Sequence, residues 1–183
     1  EIKVQDARIE VYQNDLTRQS WRVGHFPIQI RNLTGNTLVV QYWKLTDVRR
    51  LEDGAFVPWG EIDSLMLAWP RTVPRIIAAG DHVSVPFARI APPEVQKLFR
   101  EDRLLSGDSN VPQLRFMIVD GGWSRRMTSH IPPGTYRFRI TSFFERGSPA
   151  EAYLEIQWPG DESQSVESMT RKVRVKRLNG DET

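Results

Sequence analysis

The chain runs to 183 residues with no cysteine and a formal net charge of +2. That length suits one elaborated domain over two small ones, each near the lower limit for burying its own core. The near-even charge does not suggest a dedicated polyanion binder, and the missing thiols exclude disulfide scaffolds, thiolate zinc sites, iron–sulfur clusters and thiol catalysis.

With 39% hydrophobic and 26% charged residues and a mean hydropathy of −0.45, the composition is that of a folded, water-facing chain. The first residue is Glu1, and Ile2, Val4, Ile9 and Val11 follow without a charged-then-apolar leader. This start reads as a piece processed or excised from a larger, membrane-anchored or secreted protein, which favours a place outside the cytoplasm. The longest apolar run, Leu65 to Trp69, falls far short of the roughly 20 residues a membrane helix needs.

Period-two alternation dominates from the start. Ile9 and Val11 alternate with Arg8, Glu10 and Tyr12 in an opening strand. Trp21 and Val23 lie on one parity and Phe26, Ile28 and Ile30 on the other, so a bulge or bend is expected near Gly24 and His25. Asn32 to Thr37 has the composition of a hairpin loop, returning through Leu38, Val40 and Tyr42 or through Val39, Gln41 and Trp43. Glu52-Asp53-Gly54 turns a second hairpin.

Leu65 to Trp69 fits a buried strand or a helical turn equally well. Ala79-Gly80-Asp81 turns the chain into Val83, Val85 and Phe87, and Pro92-Pro93-Glu94 starts a helix over about 93–105 that Gly107 ends. Leu114, Phe116 and Ile118 follow, then the loop Asp120-Gly121-Gly122. Tyr136, Phe138 and Ile140 oppose Arg137, Arg139 and Thr141 in the clearest strand, and Arg146 to Pro149 turns it into Ala152, Leu154, Ile156 and Trp158. After polar residues 161–168, a last strand alternates Val173 and Val175 with Lys172, Arg174 and Lys176.

The Thr34-Gly35-Asn36 loop, the Ala78-Ala79-Gly80-Asp81 turn into Val83-x-Val85-x-Phe87, and the entry strand Pro132 to Ile140 stand in the order of a β-sandwich. Over residues 22–46 and 80–158 the chain resembles the immunoglobulin-like and fibronectin-like superfamily. The resemblance implies an all-β, Ig-like antiparallel sandwich with an inserted hairpin region, one short α-helix, inserts at about 48–76 and 91–111, and an extra strand at about 170–178. The Cys, Trp, Cys signature of antibody domains is absent and the chain exceeds the roughly 100 residues of one such unit. Sandwiches host many roles, so the resemblance implies no activity.

Catalytic signals are sparse. His25, His82 and His130 show no metal-ligand spacing, and no phosphate or dinucleotide loop is present. Gly107-Asp108-Ser109 resembles the nucleophile block of GDS-type lipases, but Met127 stands where their D-x-x-H block would place the acid before His130. A helix end followed by a loop explains the tripeptide better. No cofactor or metal is called for.

Of six tryptophans, Trp43 and Trp158 lie within strand patterns and read as core, whereas Trp59, Trp69 and Trp123 abut Pro or Gly in turns and inserts. Such rings can stack on sugars or anchor a partner protein, and they can equally cap the ends of a sandwich, which is the plainer account. Twenty of the 25 basic residues are Arg. Arg115, Arg137, Arg139, Lys172, Arg174 and Lys176 could form one basic face, but Glu151 and Glu155 on the neighbouring strand favour cross-strand ion pairs instead. Asn32-Leu33-Thr34 is a glycosylation sequon of low weight.

The resulting expectation is a noncatalytic module binding a protein partner through loops and inserts. A carbohydrate-binding module using Trp59, Trp69 or Trp123 is the alternative, and an enzyme of unknown class comes third. Nucleic acid is disfavoured, and the oligomeric state is not legible.

Overall fold

A computed structural model describes residues 1–13, 18–59, 64–92, 112–118, 131–160 and 165–179. Two antiparallel sheets form, and every strand pair in them is antiparallel. The smaller sheet runs β1 (Ile2–Val4), β3 (Ser20–Arg31), β8 (His82–Ala91), β9 (Gln113–Phe116). A further strand, β2 (Arg8–Gln13), shares with β1 the edge of β3 that β8 leaves open.

The larger sheet runs β12 (Arg174–Arg177), β11 (Ala150–Trp158), β10 (Gly134–Phe144), β4 (Leu38–Glu52). The long far edge of β4 is covered in turn by β7 (Ile76–Ile77), β6 (Ser64–Met66) and β5 (Ala55–Pro58). Leu65 to Trp69 is therefore extended: beyond β6, Leu67 bridges Ile118, and Ala68 N–H donates to Met117 O at 2.7 Å. That bridge ties the two sheets together at one side.

Between the sheets, Trp43, Leu45, Phe87, Phe116, Tyr136, Phe138, Ile140 and Leu154 are buried in one continuous core. The alternation of β10 and β11 buries the residues expected from the sequence, because each strand has one face on this core. In β4 both parities are partly right. Val40 is inward, then a bulge opposite Phe143 and Phe144 brings Trp43 and Leu45 inward, and a second irregularity beside Asp47 (φ 52°) brings Val48 inward. Asp53 and Gly54, with φ of 49° and 83°, make the expected tight turn between β4 and β5.

Three expectations are corrected. Asn32 to Thr37 closes no hairpin; it carries the chain from β3 in one sheet to β4 in the other. β3 keeps its pleat through Gly24 and His25, pairing evenly with β2 from Arg8↔His25 to Gln13↔Ser20. Its apolar residues change parity because both faces are covered: Val23 meets Ala91 and Trp21 on one face, and Phe26, Ile28 and Ile30 meet the main core on the other. The one register shift with β8 falls between Phe26 and Pro27.

Finally, Lys172 belongs to no strand. It ends a helix, α1 (Val166–Lys172), that starts on the side chain of Ser165, which accepts from Ser168 N–H, and carries Glu167 in its first turn. Val166, Met169 and Thr170 face inward, a helical spacing too short to read in a seven-residue element. The expected helix over 93–105, the Gly107-Asp108-Ser109 tripeptide and the Asp120-Gly121-Gly122 loop lie outside the described residues. Among the described residues no helix is long and apolar enough to cross a membrane.

Candidate functional site

The two described candidate tryptophans are fastened to the core and stand apart. Trp59 sits edge-on to the buried Tyr136 ring at 5.1 Å, and its backbone N–H donates to Val48 O. Trp69 sits edge-on to Trp43 at 5.8 Å, donates from Nε1 to Val73 O at 2.9 Å, and lies under the Arg75 guanidinium. Val48 and Trp43, beside which they dock, are five residues apart on β4, roughly 17 Å at about 3.4 Å per residue. The pair thus caps two stations of the sandwich and does not form one stacking platform; Trp123 lies outside the described residues.

The outer face of the larger sheet brings together most of the basic candidates, with acids between them. Arg137 Nε donates to Glu155 Oε2 at 2.9 Å from the directly opposite position on β11, and Lys176 Nζ lies 3.5 Å from Glu155 Oε1. Arg139 reaches Glu151 at 3.8 Å and Thr46 Oγ1 at 3.2 Å. Arg137 also stacks on Phe56, 4.0 Å from its centroid. Arg115 belongs to β9 in the other sheet, where it is buried and donates to Gln113. Lys172 and Arg174 stand at the end of α1 and the start of β12. The cations therefore form no continuous basic face.

Glu155 is nearly enclosed. Burial alone would raise its pKa, but hydrogen bonds from Arg137 and Gln157 and the charges of Lys176 and Arg137 outweigh that and hold it below the ordinary 4.5. A depressed carboxylate adds stability that is complete above the unfolded value and is lost as pH falls through the folded one. E155Q is therefore expected to cost about 1–2 kcal/mol at neutral pH. The gap from wild type should close as pH drops below 4.5, read from urea unfolding midpoints across pH; a gap constant with pH would contradict the assignment.

On the outer face of the smaller sheet a polar cluster joins β2 to β3. Tyr12 Oη donates to Glu10 at 3.0 Å and lies 3.1 Å from His25 Nε2, while Glu10 Oε2 is 3.6 Å from the same nitrogen. Burial and the Glu10 carboxylate push the Tyr12 phenol up to about 12, so it stays protonated. Burial, together with Arg89 and Arg8, holds His25 below 6.5 against the pull of Glu10, and its Nδ1 has no hydrogen-bond partner among the described residues. The cleft beside it, about 230 Å³, is walled by Arg8, Pro70, Val73 and Met117.

His82 stands exposed at the start of β8 beside Asp81, opposite Arg31, whereas His25 pairs with Arg89 near the other end of that strand. Among the described residues no group of three or more His, Asp or Glu could hold a metal ion, and His130 lies outside them.

The other face of β2 is different in kind. All six of its residues are exposed, and Val11 keeps 65% of its surface. Directly paired residues share a face, so Ile9, opposite Gly24, and Val11, opposite Arg22, lie on the side where α1 packs. Arg22 there forms an ion pair with Glu167 of α1. Among the described residues β2 pairs only with β3, so its second edge carries unpaired backbone groups.

Below it opens a groove of about 480 Å³, between Val4 to Ile9 on one wall and Thr170 to Val175 on the other. Alternation in the sequence marks Ile9 and Val11 as strand residues; their position on an open edge is set by long-range pairing, which carries no local signal. Comparison with protein-family models, curated proteins and solved structures finds no match.

Proposed function

We propose that this chain is a noncatalytic protein-interaction module built on an immunoglobulin-like sandwich, and that its contact element is the open edge of β2. Three features of connectivity support the fold reading. β3 and β8 share one sheet, β4, β10 and β11 share the other, and the chain crosses between sheets after β3. Immunoglobulin-type units divide their B and E strands from C, F and G in the same way. β9 here occupies the place beside β8 that a D strand would take.

The observation that carries the functional reading is the exposure of Ile9 and Val11 on an edge strand of six residues. Other edges are guarded as edges of stable monomers are. β12 is short and reads Arg-Val-Lys-Arg, β5 ends in Pro58, and β9 receives a backbone bond from Ile131. An unguarded, apolar edge is the element to which an extended segment adds as one more strand, main-chain bonds giving affinity and alternate side chains giving specificity.

The test is hydrogen exchange of the β2 amides in the presence of a panel of extended eight-residue peptides. Slowed exchange over Arg8 to Gln13 is expected for a subset of the panel. Val11→Asp should abolish it, because it sets a carboxylate beside the incoming strand at a site that is already exposed. If no peptide slows these amides, the reading fails.

A further inference from the structure

The groove under β2 has a chemistry of its own. One wall carries Val4, Ala7, Ile9 and Phe26, and the other carries Val173, Val175, Arg171 and Arg174. Both arginines are exposed, and among the described residues neither has an ion pair or a side-chain hydrogen bond. They differ in this from the other cations nearby. Arg22 holds Glu167, Lys176 holds Glu155, and Arg177 donates to Ile2 O at 2.8 Å. Among the described residues Asp6 is the one carboxylate lining the groove.

Resting on the edge-strand reading above, we propose that the groove takes an extended acidic segment of a partner protein, added as a strand to β2. One parity of that segment lays apolar side chains on Ile9, Val173 and Val175 and a carboxylate against Arg171, while Arg174, paired with Gln157 on the outward side of β12, meets a second carboxylate at the rim of the groove. The other parity faces the side of Glu10 and Tyr12. Arginine suits the role because its planar fork binds a carboxylate through two parallel bonds and is weakly hydrated for a cation. One wall belongs to the smaller sheet and the other to α1 and β12, so the segment spans the side of the sandwich away from the Leu67–Ile118 bridge and bonds to the long edge that β2 leaves open there among the described residues.

Two peptides of eight residues test this, both with threonine at every second position; at the positions between, valine and glutamate take turns in one peptide and valine and lysine in the other, so that apolar and charged side chains share one face of the strand, and each is followed by fluorescence anisotropy and by exchange of the Arg8 to Gln13 amides. The glutamate peptide is expected to bind roughly tenfold more tightly in low salt, as two exposed charge pairs allow. R171E/R174E should reverse the preference, and added salt should flatten it. Both positions are exposed, so the variant is expected to fold, which an unchanged thermal midpoint checks. Equal affinity for both peptides, or a preference indifferent to the reversal, would overturn the acidic-segment proposal while β2 protection kept the edge reading intact. Protection of β2 that grows with protein concentration alone would overturn the proposal in favour of a second copy of this chain. No protection under any condition would remove both readings.

Discussion

Asn32→Ala is expected to be among the most damaging single substitutions in the chain, lowering stability by about 3 kcal/mol and the thermal midpoint by roughly 6–12 °C. The side chain is fully buried at the crossover between the sheets. Its amide nitrogen donates to Asn36 O at 2.7 Å, Ile77 O at 2.9 Å and Ala78 O at 3.1 Å, so two hydrogens serve three carbonyls from both the crossover and the approach to β8. Its carbonyl oxygen accepts from Thr34 N–H at 2.9 Å and Thr34 Oγ1 at 2.7 Å, closing the turn over the following residues.

Removing the amide strips buried carbonyls of a donor and unties two loops at once. Asn32→Asp sharpens the test. It keeps the acceptor toward Thr34 but turns an oxygen toward three carbonyls, so it is expected to cost at least as much at neutral pH and to recover in part on acidification, when a protonated carboxyl can donate one bond. Urea unfolding of both variants at two pH values checks this; an Asp variant as stable as the parent would refute the assignment. The same geometry disposes of the sequon in the folded protein, since the nitrogen a glycan would occupy is enclosed and fully engaged.

Much of the architecture was legible along the chain for a simple reason. Tyr136, Phe138 and Ile140, and Ala152, Leu154 and Ile156, sit on strands with one face on the core, where period two survives undisturbed. Legibility fails where that condition fails. β3 has Val23 and Phe26 on opposite covered faces, which in sequence imitates a bulge. β4 contains two real irregularities that interrupt a single parity. The turn from Asn32 to Thr37 has loop composition whether it closes a hairpin or crosses between sheets, and only the pairing of the flanking strands decides.

The site follows the same logic. Glu155 between Arg137 and Lys176 was legible as cross-strand pairing because β10 and β11 are consecutive in sequence and in space. Arg115 lies in the other sheet, because outward parity along a strand says nothing about which sheet β9 joins. The groove, joining residues 4–9 to residues 170–175, is made by contacts across almost the whole chain, so no window of sequence holds both walls. Trp59 and Trp69 drew attention by their positions beside Pro and Gly, yet each ring has an aromatic partner in the core that is distant in sequence.

Gly24→Ala should show how tightly α1 is seated against β3. A methyl group at Gly24 would stand 1.9 Å from Thr170 Oγ1 and 3.0 Å from both Thr170 Cβ and Cγ2. Thr170 has little freedom to swing away, because it is buried and its hydroxyl donates to Val166 O at 2.6 Å within the helix. The helix must therefore shift as a body, drawing Val166 and Met169 from the core, and the expected loss is about 2–3 kcal/mol.

Thr170→Ala alone should cost less, since it leaves no buried donor without an acceptor, and in combination with Gly24→Ala it should restore most of the loss by clearing the Oγ1 and Cγ2 contacts. A double-mutant cycle measured by urea unfolding gives the coupling directly, with a value of roughly 1–2 kcal/mol expected for residues in contact. Additive effects would show that the methyl group is accommodated by β3 and that the helix is not held by this contact. Because the moved helix carries Arg171 and leads into Arg174, the same substitution should weaken an acidic peptide at the groove without touching either arginine.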